Sequence, residues 1–496
     1  MKRFLNHRTG KWGCIISMCL MLFGCPAEPV PPPTDDLKLV MSQYVAAYPE
    51  KYSEFDKILK RTNLDNLLSV RGPFTLMLPN DEAMQAYYEK MGVSSFEEFT
   101  DTMIIYKLVY NHLVMNGIGS GDIGLGALRD TNALGDYLVT EFDGADIIVN
   151  KSARIIDRDI RVANGFIHEI DKVIDPVTDD VYTVLSKDPG YSIFAAGLNK
   201  TRLKDTLQII SFPFGTRTAR TRFTVLAVAD TTYARFGINN IDELIARYSS
   251  TTNADSLQTL QNGFYRYMEY HCMANTYYLS DFSTKLYPIL SYDNNILVDV
   301  SNDYKINPDK KTGLYTAFYI PQSNVPSKNG AIHTVNDMLP VVQPAPTKII
   351  LETTDYLELK MGDYWGKYYA RFTDGQNTFQ KIKWEGDYLL YYYKNHDTGD
   401  LTSDDCLSMS GFWTCEVTIP KIMKGQYSIA SNLWANNIDY VVYIDGVKVA
   451  TVARATAARI PWCEVNWTKT EEHKIKVVNT TWGMLFWDTI ELTPIK

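Results

Sequence analysis

Cysteine is scarce in this chain. Of seven cysteines in 496 residues, three fall within the first 25, which leaves Cys272, Cys406, Cys415 and Cys463. Their spacings make no CxxC or CxxH pair, which excludes the common zinc ribbons and fingers. A Cys406–Cys415 bridge is the one pairing the spacing suggests in an oxidising compartment. Basic runs are also missing, and the formal net charge is −9. A nucleic-acid partner needs clustered Lys and Arg to neutralise phosphates, so that class is excluded. No stretch beyond residue 25 is apolar for long enough to span a bilayer. There is no G-x-S-x-G and no H-E-x-x-H, the signatures of a serine hydrolase elbow and a zinc protease. Tryptophan is absent from residues 13–364.

What is present bounds the architecture. The chain is 45% hydrophobic and 22% charged, so it can build cores. Its length suits about three domains. The N-terminus reads as a targeting segment, residues 1–24. Lys2, Arg3, Arg8 and Lys11 form a basic region ahead of the short apolar run CIISMCLMLFG. The ending LFGC resembles a bacterial lipobox, which implies cleavage before Cys25 and lipidation of that cysteine. Several acyl chains hold a protein on a membrane where one alone does not. Without the signal, the net charge is about −13. Residues 25–37 then form a proline-rich tether, PAEPVPPPTDD at its heart. The expected location is the outer membrane or cell surface, with everything downstream outside the cytoplasm.

Residues 38–343 contain an internal repeat. SEFDKILKRTNLDNLL begins at Ser53 and SIFAAGLNKTRLKDTL at Ser192. Phe55, Ile58 and Leu59 have the spacing of an apolar helix face, with Ser53 as the expected N-cap. FTLMLPNDEAM from Phe74 answers FTVLAVADTTY from Phe223, and YKLVYNHLV answers YRYMEYHCM. NGFIHEIDKVIDP (Asn164–Pro176) and NGAIHTVNDMLP (Asn329–Pro340) close the two copies. Four landmarks recur in the same order.

Each copy resembles a fasciclin (FAS1) domain, copy one over 38–176 and copy two over 177–343. TLMLPNDEAM follows the family's first box, Thr-Val-Phe-Ala-Pro-Thr-Asp-Glu-Ala-Phe. The family's Tyr-His pair stands as Tyr270–His271, with Asn111 ahead of His112 in copy one. The second box is met by Asn164, Gly165, His168, Ile170, Asp171 and Pro176. It is met again, one residue shorter, by Asn329, Gly330, His333, Val335 and Pro340. Copy two departs in the first box, where Val228 and Ala229 replace proline and threonine. The resemblance implies a compact α/β unit used for adhesion or binding, with no catalysis.

The histidines decide between chemistry and architecture. His112, His168, His271 and His333 sit at the paired landmarks, with no nucleophile or third ligand fixed beside them. They are expected to tie buried backbone groups together, and the neighbouring Asn-Gly to supply a turn. GSGDIG (Gly119–Gly124) matches a dinucleotide fingerprint by letter only. It lacks the preceding strand and following helix, and reads as a loop.

After the linker VVQPAPTK, residues 344–496 hold eight of the nine tryptophans. Alternating runs such as CEVTIP, YVVYIDG and HKIKVVN predict an all-β sandwich, a jelly roll. Gly386, Gly425, Tyr427, Asp445, Gly446, His473 and Asp488 resemble landmarks of galactose-binding-like and carbohydrate-binding modules. Trp434 and Trp467, read as loop residues, are the candidate sugar platforms, since sugars stack their C–H faces on aromatic rings. The resemblance also implies a structural calcium, with Glu352 and Asp488 in the matching places. The acidic run 397–405 reads as a solvated loop.

The expected fold class is therefore α+β multidomain, two tandem FAS1-like units followed by a sandwich. The expected function is a membrane-anchored, non-enzymatic adhesin that binds glycan or matrix as an accessory to carbohydrate capture. The alternative is a scaffold that docks protein partners of an outer-membrane complex. A glycosidase would need two carboxylates about 5–10 Å apart, and no spacing singles out a pair.

Overall fold

The computed structural model describes residues 38–70, 72–99, 101–214, 217–309, 311–357, 369–373, 379–393, 405–456 and 458–495. The targeting segment, Cys25, the tether and the acidic stretch 397–404 lie outside the described residues.

The first repeat starts with helices Met41–Ala47 and Pro49–Thr62, which bury Tyr44, Tyr52, Phe55, Ile58 and Leu59 against one core. Ser53 differs from the expected N-cap. The long helix kinks at Tyr52, and Ser53 opens its second part with its own N–H needing an acceptor. Asp81 supplies it from another helix: Oδ2 accepts from Ser53 N–H at 3.1 Å and from its hydroxyl at 2.7 Å. Asp81 Oδ1 accepts from Glu54 N–H at 2.9 Å. A carboxylate at a helix N-terminus also meets the favourable end of the helix dipole. Asp230 repeats every contact on Ser192 and Ile193 in the second repeat.

In both repeats a central strand runs parallel to the strand that closes the unit. Phe74–Pro79 lies beside Gly165–Ile170 with Phe74 opposite Gly165. Phe223–Val228 lies beside Gly330–Val335 with Phe223 opposite Gly330. All twelve residues of Phe74–Pro79 and Gly330–Val335 are buried, as expected of strands covered on both faces.

The repeats then diverge. The first extends this pair into one seven-stranded sheet, through the long strand Ala153–Val162. The second splits the same material into two four-stranded sheets. It also carries ten more residues between Leu207 and Phe223 than separate Leu68 from Phe74. The insertion forms a hairpin, Ser211–Phe214 with Arg217–Arg220.

The C-terminal part is a two-sheet sandwich. One sheet orders its strands as Tyr369–Phe372, Leu389–Tyr393, Asp405–Gly411, Gly483–Pro494, Gly425–Ala435 and Ala458–Trp467, with Ile349–Glu352 paired to Gly483–Pro494. The other orders Ile382–Glu385, Thr414–Ile422, Glu471–Asn479, Ile438–Ile444 and Val447–Ala455. Trp384, Trp413, Trp462 and Trp487 fill the core between them with Tyr427 and Tyr440. The Cys406–Cys415 bridge is not formed. Cys406 belongs to the first sheet and Cys415 to the second, each paired across to its own neighbours.

Polar clamps join the three units. Arg220, from the inserted hairpin, donates to Asp136 at 2.7 Å and to the carbonyls of Gly135 and Leu134 at 2.8 and 2.9 Å. Lys328 reaches the other oxygen of Asp136 at 2.6 Å. Beside them Tyr137 packs edge-on against Tyr278, over a small core of Val139, Tyr278 and Ala331. At the second joint, Lys421 of the sandwich inserts its ammonium among the carbonyls of Ile289, Ser291 and Asn294. Asn295 donates back to the Lys421 carbonyl at 3.0 Å. Burial lowers the Lys421 pKa, and Glu269 and Asp293 oppose that shift.

Candidate functional site

The repeated histidines are held by backbone. His168 Nε2 donates to the Ile118 carbonyl at 2.9 Å, and Nδ1 accepts from Asp159 N–H at 3.3 Å. His333 does the same with Tyr277 and Asn324, at 2.8 and 3.3 Å. Asp159 and Asn324 both have φ near +60°, which turns their N–H toward the ring. His112 donates from Nδ1 to the Leu108 carbonyl at 2.7 Å and accepts from Ile174 N–H at 2.9 Å. His271 donates to Tyr267 in the same way. Burial pushes His112, His271 and His333 down to about 4 and lowers His168 as well. All four rings are therefore neutral near pH 7, and each bonds main chain through at least one nitrogen.

The asparagines beside them carry the same backbone duty. Asn164 Oδ1 accepts from Met41 N–H, and its amide donates to the Leu68 and Val70 carbonyls, each at 2.8 Å. Asn329 repeats this with Val181, Leu207 and Ile209 at 2.7–3.0 Å. A Cβ on Gly165 would lie 1.9 Å from the Phe74 carbonyl oxygen, and one on Gly330 would lie 2.1 Å from that of Phe223. Only glycine lets the two strands approach so closely. Tyr270 joins the second repeat to the linker by donating to the Val342 carbonyl at 2.8 Å. These landmarks build the fold and line no reactive centre.

The sandwich places the two candidate tryptophans differently from the loop expectation. Both are on strands, Gly425–Ala435 and Ala458–Trp467. Gly425 faces Trp467 while Leu433 faces Ala458, so the two indoles sit at opposite ends of one strand pair, roughly 30 Å apart at ~3.3 Å per residue. They do not form one site. Trp467 is also already stacked, 3.8 Å from the His473 ring at an 11° angle, with His473 held by Asp445 at 2.7 Å. Trp434 remains 42% exposed.

Trp434 belongs to a larger aromatic group that sequence reading did not assemble. Leu433, Leu485 and Trp487 point into the core, so strand alternation turns Trp434, Met484 and Phe486 outward. Phe486 lies between Tyr392 and Trp434, with ring centroids 5.2 and 5.3 Å away. Gly411 pairs with Gly483, and just beyond that pair stand Phe412, 64% exposed, and Trp482, 72% exposed. Five aromatics thus share one outward sheet face and its rim. The parity of Trp482, Met484 and Phe486 against Leu485 and Trp487 was the available signal.

Glu352 and Asp488 do come together. Glu352 pairs with Thr489, next to Asp488. Asp488 is buried and its Oδ2 accepts from Asn432 at 2.8 Å. Calcium takes six to eight oxygens, and no group of three or more potential ligand residues is gathered among the described residues. These residues alone do not fit the ion. Among the described residues no helix is long and apolar enough to cross a membrane.

Comparison with known proteins adds the following. Residues 50–176 match the family model for the Fasciclin domain. Protein sll1483 of Synechocystis sp. is 28% identical over 136 residues, covering 27% of this chain and 71% of that protein. The FAS1 domain pair of the insect cell adhesion molecule Fasciclin I aligns at 16% identity and a TM-score of 0.27, over 58% of this chain and 96% of that one. The CBM36-1 domain of a multidomain xylanase from the hindgut metagenome of Trinervitermes trinervoides aligns at 11% identity and a TM-score of 0.20, over 30% and 99%. This chain is an α+β multidomain protein ending in an all-β sandwich, and its residues 50–176 match the fasciclin domain model.

Proposed function

We propose that this protein is a lipid-anchored adhesin of the outer membrane or cell surface that captures glycan through its C-terminal sandwich. The observation that carries this reading is the outward aromatic group of Tyr392, Phe412, Trp434, Trp482 and Phe486. Rings of this kind offer apolar faces to sugar C–H groups. A solvent-exposed cluster of them costs solubility unless it has a ligand. The fasciclin domain supports adhesion-type extracellular binding. In this reading Cys25 holds the chain on the membrane, the tether of residues 25–37 lifts it, and the clamped units carry the sandwich outward. A calcium ion at Glu352 and Asp488 would be structural, with its remaining oxygens supplied by carbonyls, amides or water.

A second reading has its own observation. Leu314, Tyr315, Tyr319 and Ile320 of the second repeat are 72%, 43%, 46% and 43% exposed. An apolar strip of this kind suits a protein partner, such as a component of an outer-membrane complex.

The test is calorimetric titration of the full mature chain against neutral soluble polysaccharides. The expected result is saturable binding that weakens at least tenfold in Trp434→Ala/Trp482→Ala and is unchanged in Tyr315→Ser/Tyr319→Ser. No binding to any neutral glycan, or binding indifferent to the tryptophans, would move the function to the apolar strip. Loss of membrane association in Cys25→Ser checks the anchor separately.

A further inference from the structure

The five-stranded sheet turns a different face outward, on the other side of the sandwich from the aromatic group. Its register sets Lys383 beside Glu416, Glu416 beside Lys476, and Tyr443 between Lys476 and Lys448. Lys381 and Lys474 flank this row. Two of the lysines are already engaged: Lys381 meets Glu472 at 2.5 Å, and Lys474 lies 3.8 Å from Glu416. Lys383, Lys476 and Lys448 have no ion-pair partner among the described residues. On a chain of formal charge −9, this face gathers five lysines, Lys381, Lys383, Lys448, Lys474 and Lys476, around Glu385, Glu416 and Glu472.

Between Lys383 and Lys476 lies a cleft of about 390 Å³, bounded also by Phe379, Glu385, Thr414 and Glu416. That size falls in the range of small-ligand sites. Thr414 donates to Glu385 at 3.1 Å, which fixes one carboxylate at the rim. The cleft therefore combines two ammoniums that have no ion-pair partner among the described residues, an aromatic ring, and two carboxylates, one of them fixed by Thr414.

We propose that this cleft binds a uronate residue of an acidic polysaccharide, at a site separate from the aromatic face. Lysine ammoniums act as mobile point charges toward a carboxylate. Lys383 and Lys476 stand two strand spacings apart, roughly 10 Å between their backbones, and so reach a sugar carboxylate from either side. Phe379 offers its ring to the sugar's C–H face. Thr414, Glu385 and Glu416 take hydroxyls, which both donate and accept. Glu416 also sets the selectivity. Its carboxylate sits between the two lysines and repels a densely charged sulfate or phosphate. A uronate brings one dispersed charge together with several hydroxyl donors that Glu416 accepts.

The experiment uses the full mature chain and three probes: trigalacturonate, a neutral hexasaccharide and a sulfated oligosaccharide of similar length. Trigalacturonate is expected to bind saturably and to weaken at least tenfold in Lys383→Ala/Lys476→Ala. Lys383 is exposed and Lys476 half-buried on the outward face of the sheet, so this variant should keep a melting temperature close to wild type. Trp434→Ala/Trp482→Ala should leave uronate binding unchanged, as should Lys57→Ala/Lys60→Ala, the same charge change on the first repeat. Raising salt toward 1 M, where the screening length is about 3 Å, should abolish it. Absence of uronate binding at millimolar ligand overturns the proposal, as does binding that ignores Lys383 and Lys476. Tighter binding of the sulfated probe overturns the role of Glu416 and makes the cleft a general anion site. Neutral glycan is read in the same series, so failure here is distinguishable from failure of the aromatic site.

Discussion

In the first fasciclin-like unit, Ile174 donates its N–H to His112 Nε2 at 2.9 Å. In the second, the matching nitrogen of His271 is buried and meets no hydrogen-bonding partner. The rings are otherwise alike, each donating from Nδ1 to the carbonyl four residues back. The difference lies in chain length. Eight residues run from His168 to Pro176 but seven from His333 to Pro340. Met338, two residues before Pro340 as Ile174 is before Pro176, donates its N–H to Asp337 Oδ1 at 2.7 Å instead. The Asn-Gly contacts survive with the strand register, which both units keep, and the Asp81 and Asp230 contacts survive at the matching helix starts. Shared register preserves shared strand bonds, while bonds to the loop before the closing proline differ between the copies.

The comparison breaks first at the asparagines. Asn164→Ala and Asn329→Ala each remove three hydrogen bonds, two buried and one partly buried. With main-chain groups left unpaired at roughly 1–3 kcal/mol each, a loss of about 3–6 kcal/mol is expected in either copy. Hydrogen exchange read by mass spectrometry should show the mutated copy opening. If Asn329→Ala costs under 1 kcal/mol while Asn164→Ala is severe, the copies are not equivalent where their contacts match. The clamp comes next. Asp136 is buried under Arg220 and Lys328, which are themselves partly exposed. Arg220→Ala should therefore cost about 1–3 kcal/mol, less than the loss of a fully buried pair. Its signature is in geometry: small-angle scattering should report a wider range of separations between the two units, with each still folded.

Much of this was legible in the sequence. The repeat, its four landmarks, the backbone role of the histidines and the sandwich all follow from period and spacing, since strand register is a local property of the chain. Ser53 was misread because its cap comes from Asp81, 28 residues on, and helix kinks are invisible to periodicity. Trp434 and Trp467 were misread as loop residues because tryptophan at a strand end looks the same in either setting. Their separation depends on which strands pair, and that is not written locally. The aromatic face required knowing that Gly411 meets Gly483, which brings Phe412 beside Trp482 from 70 residues away. The cleft on the five-stranded sheet required the same kind of knowledge for Lys383, Glu416 and Lys476. Sites assembled across strands are readable only once the pairing is known.

The smallest effect returns to the unpaired histidine. His112→Leu leaves the Ile174 N–H buried without an acceptor, whereas His271→Leu removes a nitrogen that already had none. The first should therefore cost about 1–3 kcal/mol more than the second, measured as a difference in exchange protection between the copies. Acid sharpens the same contrast. Both rings have a folded pKa near 4 and an unfolded value near 6.5. The unfolded state thus binds the proton first, and stability falls as pH drops from 6.5 toward 4, then levels off with respect to these groups. His271→Leu should flatten that slope in the second copy at little cost near pH 7, while His112→Leu flattens it in the first copy after a larger loss near pH 7 that shrinks as pH falls. Equal costs for the two substitutions near pH 7 would mean that the Ile174 bond contributes nothing, and that the dropped residue in the second copy was neutral.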